Sequence, residues 1–456
     1  MSKQSHQFLN DAQRVAFDLE HRRKIKFNIG KYDLAVEKGR ERYSHQPLAK
    51  QRAAFLKRRV LNRLPELLEE LENNLVRNGA EVHWAQTDAD VLKIIGEVAR
   101  REQVKCVVKS KSMTTEEVEL NHFFESMNVE PLETDLGEFI VQVAGEKPYH
   151  IVTPAMHKSK EDIDALFHQK FKTPSGSTPQ ELTAWVRNFL RQKFVTSEMG
   201  VTGANFLVAD TGSVCLTENE GNALLTASLP RIHVVIAAIE KVIPSAKYLG
   251  LMWPLLSALG TGQQMTVYNS IFSSPRKPCE SDGPEKMIVI LMDNGRTNLY
   301  ADHHLYEALS CIRCGACLNA CPVYKNVGGY TYGATYSGPI GSLITPHFKG
   351  MQAFKHLSFA SSLCGKCAEV CPVQIPIPDL LLENRRKSVE SGCAPVGETI
   401  MFNMATLVMK RRALFNMNGN LKTMVSGLTM SKMLGNQKKF PKFAAKSFSV
   451  QWNNKR

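Results

Sequence analysis

The 456-residue sequence has no run of about eighteen uninterrupted apolar residues, which is what a membrane-spanning helix needs. Its best stretch, Leu249 to Leu259, is short and interrupted by Pro254, so no spanning helix is expected. The opening residues, MSKQSHQFLNDAQ, lack the apolar segment of a secretory leader, so export is not expected either. There is no Walker phosphate loop, no Ser/His/Asp arrangement, and no GxGxxG opening a helix after a strand. Nucleotide hydrolysis, serine-type hydrolysis and dinucleotide binding are therefore left without support. Acidic residues are missing altogether from positions 401–456, which hold 11 Lys/Arg.

What is present fits a folded chain of two or three domains, with 43% apolar and 22% charged residues. The net charge of +13 is unevenly spread: +9 in residues 1–60, +11 in 401–456 and −7 between them. A mildly acidic body with basic ends argues against a nucleic-acid groove. It argues for terminal arms that touch an acidic partner or an anionic surface.

Hydrophobic patterning divides the chain further. Residues 1–50 read as a basic arm with some helix. From Gln51, Phe55, Leu56, Val60, Leu64, Leu67, Leu68, Leu71 and Leu75 follow helical spacing, broken at Pro65 and closed at Gly79. Strands and helices then alternate: AEVHWA, a helix over Asp88–Arg101, VKCVVK, a helix over Thr114–Met127, strand candidates FIVQV and YHIVTP, and a helix near Glu181–Lys193. ANFLVAD and SVCLTEN flank Thr211-Gly212 as a hairpin, and RIHVVIAAIE and KMIVILMD complete the strands. This alternation predicts an α/β domain with a mainly parallel sheet over residues 51–300. PRKPCESDGP reads as a surface loop, and after Asp302 only helix fragments and cysteine motifs remain. Residues 301–395 therefore form a second, helical domain, and 396–456 a basic, Met-rich extension.

Eleven cysteines without a leader point to a reducing compartment and to metal or redox chemistry rather than disulfides. Cys106, Cys215, Cys279 and Cys393 are scattered, and Cys106 and Cys215 lie in apolar strands where a thiol serves as a small core residue. The other seven lie between 311 and 371. Cys311, Cys314, Cys317 and Cys321 followed by Pro322 form C-x2-C-x2-C-x3-C-P, the spacing that holds cubane iron–sulfur clusters. Structural zinc has no use for that third cysteine or for the fourth before proline. Cys364, Cys367 and Cys371 before Pro372 repeat the last three positions, and Ser361 stands where the first cysteine would be.

In two-cluster proteins the fourth cysteine of each motif serves the other cluster. That rule assigns Cys311, Cys314, Cys317 and Cys371 to cluster one, and Cys321, Cys364 and Cys367 to cluster two. The remaining corner of cluster two is left to Ser361, Cys393, water, a partner protein or a vacancy. The expected cofactors are 4Fe-4S for the first and 4Fe-4S or 3Fe-4S for the second.

The double motif, the connector GGYTYGATYSGPIGSLITP and SSLCGKCAEVCPVQIP closely resemble the lactate utilization protein B family. Upstream, VVKSKSMTTEEVELN, ETDLGEFIVQ, HIVTPAMHKS and GVTGANFLVADTGSVCLTENEGNALLTASLPRIHVV resemble it as well. The resemblance implies a lactate-utilization domain related to sugar-phosphate isomerases and CoA-transferases, followed by an all-α ferredoxin domain. It implies two partners, a subunit with cysteine-rich repeats and a smaller lactate-utilization-domain subunit, and a joint role in oxidising L-lactate to pyruvate. The missing first cysteine of the second motif also belongs to the family pattern.

On this reading the chain is a non-catalytic electron-transfer subunit of an NAD-independent L-lactate dehydrogenase complex. It is expected in the cytoplasm, with peripheral contact to the inner face of the cell membrane as one reading of its basic tail. The alternative makes the chain itself an oxidoreductase with a substrate site in the α/β domain. The weak catalytic candidates are Glu218, Glu220 and His150. Glu218 and Glu220 are equally readable as turn and capping residues, and His150 and His157 as structural histidines. Lys109, Lys111 and Ser112 suit either an anion site or a solvated loop.

Overall fold

A computed structural model of the chain describes residues 2–416, 419–424, 427 and 442–454. Four helices come first: α1 (Lys3–Ala16), α2 (Leu19–Glu41), α3 (Gln46–Leu61) and α4 (Leu64–Arg77). Ser2 and Asp18 start the first two by accepting N–H bonds from Ser5 and His21. Pro65 separates the last two by taking the first turn of α4, where its missing N–H has no helical partner to lose.

The α/β region follows with β1 (Glu81–Ala85), α5 (Asp88–Arg101), β2 (Cys106–Lys109), α6 (Met113–Glu117), α7 (Leu120–Ser126), β3 (Glu130–Glu133), α8 (Leu136–Val143), α9 (Lys160–Phe171), α10 (Pro179–Thr196) and β4 (Met199–Thr202). It continues with β5 (Phe206–Val208), β6 (Ser213–Glu218), α11 (Asn222–Ser228), β7 (Ile232–Ala238), β8 (Val242–Ile243), α12 (Leu249–Gly260), β9 (Tyr268–Phe272) and β10 (Lys286–Met292).

Six strands form a wholly parallel sheet in the order β1-β10-β7-β4-β2-β3. β7 and β10 pair from Ile232 with Lys286 to Ala238 with Met292, and their apolar runs suit strands covered on both faces. A second sheet, β8-β5-β6-β9, contains the hairpin around Thr211-Gly212.

Three local expectations fail. FIVQV is not a strand but part of α8, because the Asp135 side chain accepts the Glu138 N–H at 3.1 Å and caps a helix there. YHIVTP has no regular structure: the His150 ring takes the backbone N–H groups of Val152 and Thr153, which a ladder would otherwise use. The helix over Thr114–Met127 is two helices, split where Glu119 turns left-handed at φ +52°.

Beyond β10 come α13 (Arg296–Tyr300), α14 (Ala316–Ala320), α15 (Pro322–Val327), α16 (Gly338–Phe348), α17 (Met351–Phe359), α18 (Lys366–Glu369) and α19 (Ile377–Glu390). Among the described residues no strand follows Met292. The basic N-terminal helices pack onto this part of the chain and the α/β region: α1 lies against α15 and α17, and α2 against α15 and against α12. One apolar core runs from Phe8, Ile25 and Ile29 through the second sheet to Leu343, Leu357 and Leu381. Residues up to Glu390 accordingly form one compact unit.

Ser391–Arg456 form a second unit. Its helices α20 (Val396–Lys410) and α21 (Arg412–Phe415) bury no residue and leave Phe402, Met404, Leu407 and Met409 exposed. Much of the Met-rich basic stretch, residues 417–418, 425–426 and 428–441, lies outside the described residues. Among those described, no helix is long and apolar enough to cross a membrane.

Candidate metal centre

The two cysteine motifs share one backbone plan. Arg313 and Gly315 take φ +59° and +79°, and Leu363 and Gly365 take φ +53° and +83°. Each glycine opens a short helix, α14 within the first motif and α18 within the second, and these two helices pack together. Backbone N–H groups point at sulfur: Arg313 to Cys311 at 3.4 Å, Tyr324 to Cys321 at 3.5 Å and Ile375 to Cys371 at 3.4 Å. Thiolates with backbone donors around them are the donor set that an iron–sulfur cluster requires, so the residues fit the group.

The seven thiols sort into two sets that cross the motif boundaries. Cys311, Cys314, Cys317 and Cys371 line one small cavity, closed on its apolar side by Ile151 and Ile340. Burial first, and then Cys371, pushes the Cys314 thiol up; burial and then Cys311 does the same to Cys317. Cys371 is pushed up to about 11, chiefly by burial. In the other set, burial followed by Cys321 pushes Cys367 up to about 11, and Cys364 acts on both Cys321 and Cys367. Thiols so disfavoured as anions stay neutral unless a bound metal takes the place of the proton. Tyr332 is buried and feels the charge of one thiol from each set, Cys321 and Cys317. Cys364 is exposed, whereas Cys317, Cys367 and Cys371 are buried and Cys311, Cys314 and Cys321 are partly so.

A buried ion network ties the first set to the sheet. Glu240, just after β7, accepts from Arg296 at 2.7 Å and from Arg313 at 3.1 Å. Arg296 also grips Glu117, at 2.8 and 3.0 Å, and Tyr336 donates to Glu117 at 2.6 Å. Lys57 donates to the Glu240 carbonyl at 2.7 Å. With almost no solvent contact, the two carboxylates persist as charges because each is gripped by a guanidinium. No motif in the sequence announces this network. Its one visible signal is the arginine inside the Cys311–Cys314 pair.

The remaining candidates distribute as follows. Glu218 accepts the N–H groups of Ala223 and Leu224, both at 2.7 Å, and Glu220 accepts that of Leu136 at 3.2 Å. Both are therefore caps, and burial holds both above the usual carboxylate range. They line a polar crevice of about 370 Å³ at the carboxyl ends of the parallel strands, together with Ser110, Lys111, Asp135 and Cys314. Lys111 is held there by Asp135 and the Val152 carbonyl, both at 3.1 Å. Lys109 belongs to no solvated loop: it is fully buried against Glu116 and Glu133 at 2.8 and 2.7 Å. Ser112 caps α6.

His150 is buried, lies beside Gly315 and is lowered to about 3 by desolvation, so it stays neutral and exchanges no proton near neutrality. His157 bonds Glu146 at 2.6 Å. Cys215 is buried and pushed up to about 12, whereas Cys106 is only half-buried beside the Ser197 hydroxyl.

Comparison with known proteins places this architecture. The profile of the LUD domain matches residues 68–292, and that of a 4Fe-4S dicluster domain matches residues 307–375. Lactate utilization protein B 2 of Bacillus mycoides is 42% identical over 386 residues, covering 83% of this chain and 81% of the relative. Lactate utilization protein B of Bacillus thuringiensis and that of Bacillus anthracis are 41% identical over the same shares. A solved structure of a DUF162 family protein from Deinococcus radiodurans aligns at 10% identity and a TM-score of 0.29, covering 50% of this chain and 98% of that one, too weak a likeness to argue from. With an α/β half matching the LUD domain, a dicluster half and relatives aligned over most of both lengths, the chain belongs to the lactate utilization protein B family.

Proposed function

We propose that the chain is the iron–sulfur electron-transfer subunit of a complex that oxidises L-lactate to pyruvate. The partners are a cysteine-rich-repeat subunit and a smaller LUD subunit. Cluster one takes Cys311, Cys314, Cys317 and Cys371, and cluster two takes Cys321, Cys364 and Cys367. The observation that carries this reading is the crosswise sorting of the thiols, with four of them lining one cavity. The clusters, when bound, take up and release single electrons. The chain's own residues bury Cys317 and Cys371 at the first site and Cys367 at the second, and leave Cys364 of the second exposed. That placement supports entry or exit of electrons to a partner on the cluster-two side. On this view residues 51–300 and 301–395 are functional divisions, folded together as far as Glu390, and the exposed Phe402, Met404, Leu407 and Met409 of the 396–456 extension meet a partner or the inner membrane surface. The test is anaerobic purification with iron and acid-labile sulfide analysis and paramagnetic resonance of the reduced protein. About seven or eight irons and two interacting signals are expected. A preparation that stays free of iron after reconstitution ends the proposal.

The crevice beside Cys314 favours a second reading, in which this chain binds the small acid itself. Reconstituted chain, L-lactate and an artificial acceptor, with no partner present, separate the two. Turnover favours the second reading, and none favours the relay.

A further inference from the structure

A cluster's potential is set by nearby charge, hydrogen bonds to its sulfurs and solvent access. The two thiol sets differ in all three. Arg313 borders the cavity formed by Cys311, Cys314, Cys317 and Cys371. Its side chain is 9% exposed, its Nη2 is used by Glu240, and its guanidinium lies 4.6 Å from the Tyr336 ring centre. Its Nη1 is buried and has no hydrogen-bond partner among the described residues. A guanidinium N–H left unmatched in the interior is costly, and a sulfur acceptor arriving in the adjoining cavity removes that cost.

Two more cations stand close by. Lys57, 1% exposed, donates to the Glu240 carbonyl, and Lys241, 8% exposed, follows Glu240 in sequence. Cys311 acts electrostatically on Arg313, Lys57 and Lys241 alike. The acidic group that faces them is Glu240, one of whose carboxylate oxygens is engaged by Arg296. Three buried cations against one shared carboxylate leave the first site electropositive. At the second site Cys364 is exposed, and the cations near it, Lys325, Lys366 and Arg385, are less buried than Arg313, two of them paired with surface carboxylates and Arg385 engaged by the Ser358 and Ser361 carbonyls.

We propose that Arg313, through its Nη1, donates a hydrogen bond to cluster one and, with Lys57 and Lys241, holds that cluster at a higher reduction potential than cluster two. Arg313 is a positioning and tuning residue: it ligates no iron. The couple it biases exchanges one electron and needs no proton, since the added negative charge is met by a fixed guanidinium. Electrons shared between the two clusters then collect at the buried one, next to the crevice. This inference rests on the proposed crosswise ligation.

The test is a mediated redox titration of the reconstituted full chain, with dithionite as reductant and paramagnetic resonance as readout, after iron and sulfide have been quantified. In Arg313→Met, the reduced-to-oxidised ratio of cluster one at a fixed potential is expected to fall by about tenfold or more, the worth of one lost charge-assisted hydrogen bond. Cluster two should keep its midpoint, and Arg313→Lys should recover part of the shift by restoring charge without the planar donor. Lys57→Met, remote from the cysteine loop in sequence, should move cluster one in the same direction. A cluster-one midpoint unmoved in both Met variants overturns the proposal, as does an equal shift of both clusters. Loss of the ligation reading shows differently: a wild-type chain without two iron-loaded sites fails at the iron analysis, and the tuning proposal falls with it.

Discussion

Ser361 stands in the second motif where Cys311 stands in the first. The Ser361 hydroxyl accepts the N–H of Leu363 at 3.2 Å, and the Cys311 sulfur accepts that of Arg313 at 3.4 Å. The two-residue step and the left-handed residue that makes it are the same in both.

That equivalence makes Ser361 the leading candidate for the open corner of cluster two. Ser361→Cys should complete a four-thiolate site and bring the chain to about eight irons after anaerobic reconstitution, with no three-iron signal on oxidation. Cys393→Ser should leave the iron content unchanged. A loss of about one iron in Cys393→Ser, with Ser361→Cys silent, would transfer the role to Cys393.

Cys371→Ser should damage cluster one, although the residue belongs to the second motif, because Cys371 shares a cavity with Cys311, Cys314 and Cys317. Paramagnetic resonance of the reduced variant is the measurement. Selective loss of the cluster-two signal would show that ligation follows the motifs instead of crossing between them.

Arg296→Met should destabilise the fold by about 3–5 kcal/mol, since it strands Glu117 and Glu240 as buried charges. Chemical denaturation followed by circular dichroism checks this. A change under about 1 kcal/mol would mean that the network is hydrated or protonated rather than matched.

His233 sits in β7, 1% exposed, with Thr202 as its hydrogen-bond partner at 2.9 Å, and desolvation lowers it to about 3 from an ordinary 6.5. Between those values the unfolded chain binds a proton that the folded chain refuses. Stability therefore falls as pH drops from 6.5 towards 3, by up to about 1.4 kcal/mol per pH unit for this one group. His233→Gln should flatten the fall in unfolding midpoint between about pH 7.5 and 5.5. An unchanged slope would place the titration elsewhere.

How much of this was readable beforehand follows from where the information resides. The apolar runs of β7 and β10 announce buried parallel strands, and the cysteine spacing announces the metal chemistry, because both signals are local. FIVQV misleads because β-branched residues favour strands, while the deciding contact is a cap from Asp135 just outside the segment. β3 escapes notice because EPLE is four residues long and contains a proline. The Glu117–Arg296–Glu240–Arg313 network joins residues as much as 179 positions apart in pairs, and no spacing rule reaches that far. The crevice is similarly hidden: Lys111, Glu218 and Cys314 meet only once the sheet has formed.

The unbroken apolar interior, from Phe8 to Leu381, bears on how such a chain is made. A polypeptide severed near residue 300 would leave each fragment with a raw greasy face and nothing to cover it. The N-terminal helices and the cysteine loops therefore share one cooperative fold, and neither half is expected to hold its shape without the other.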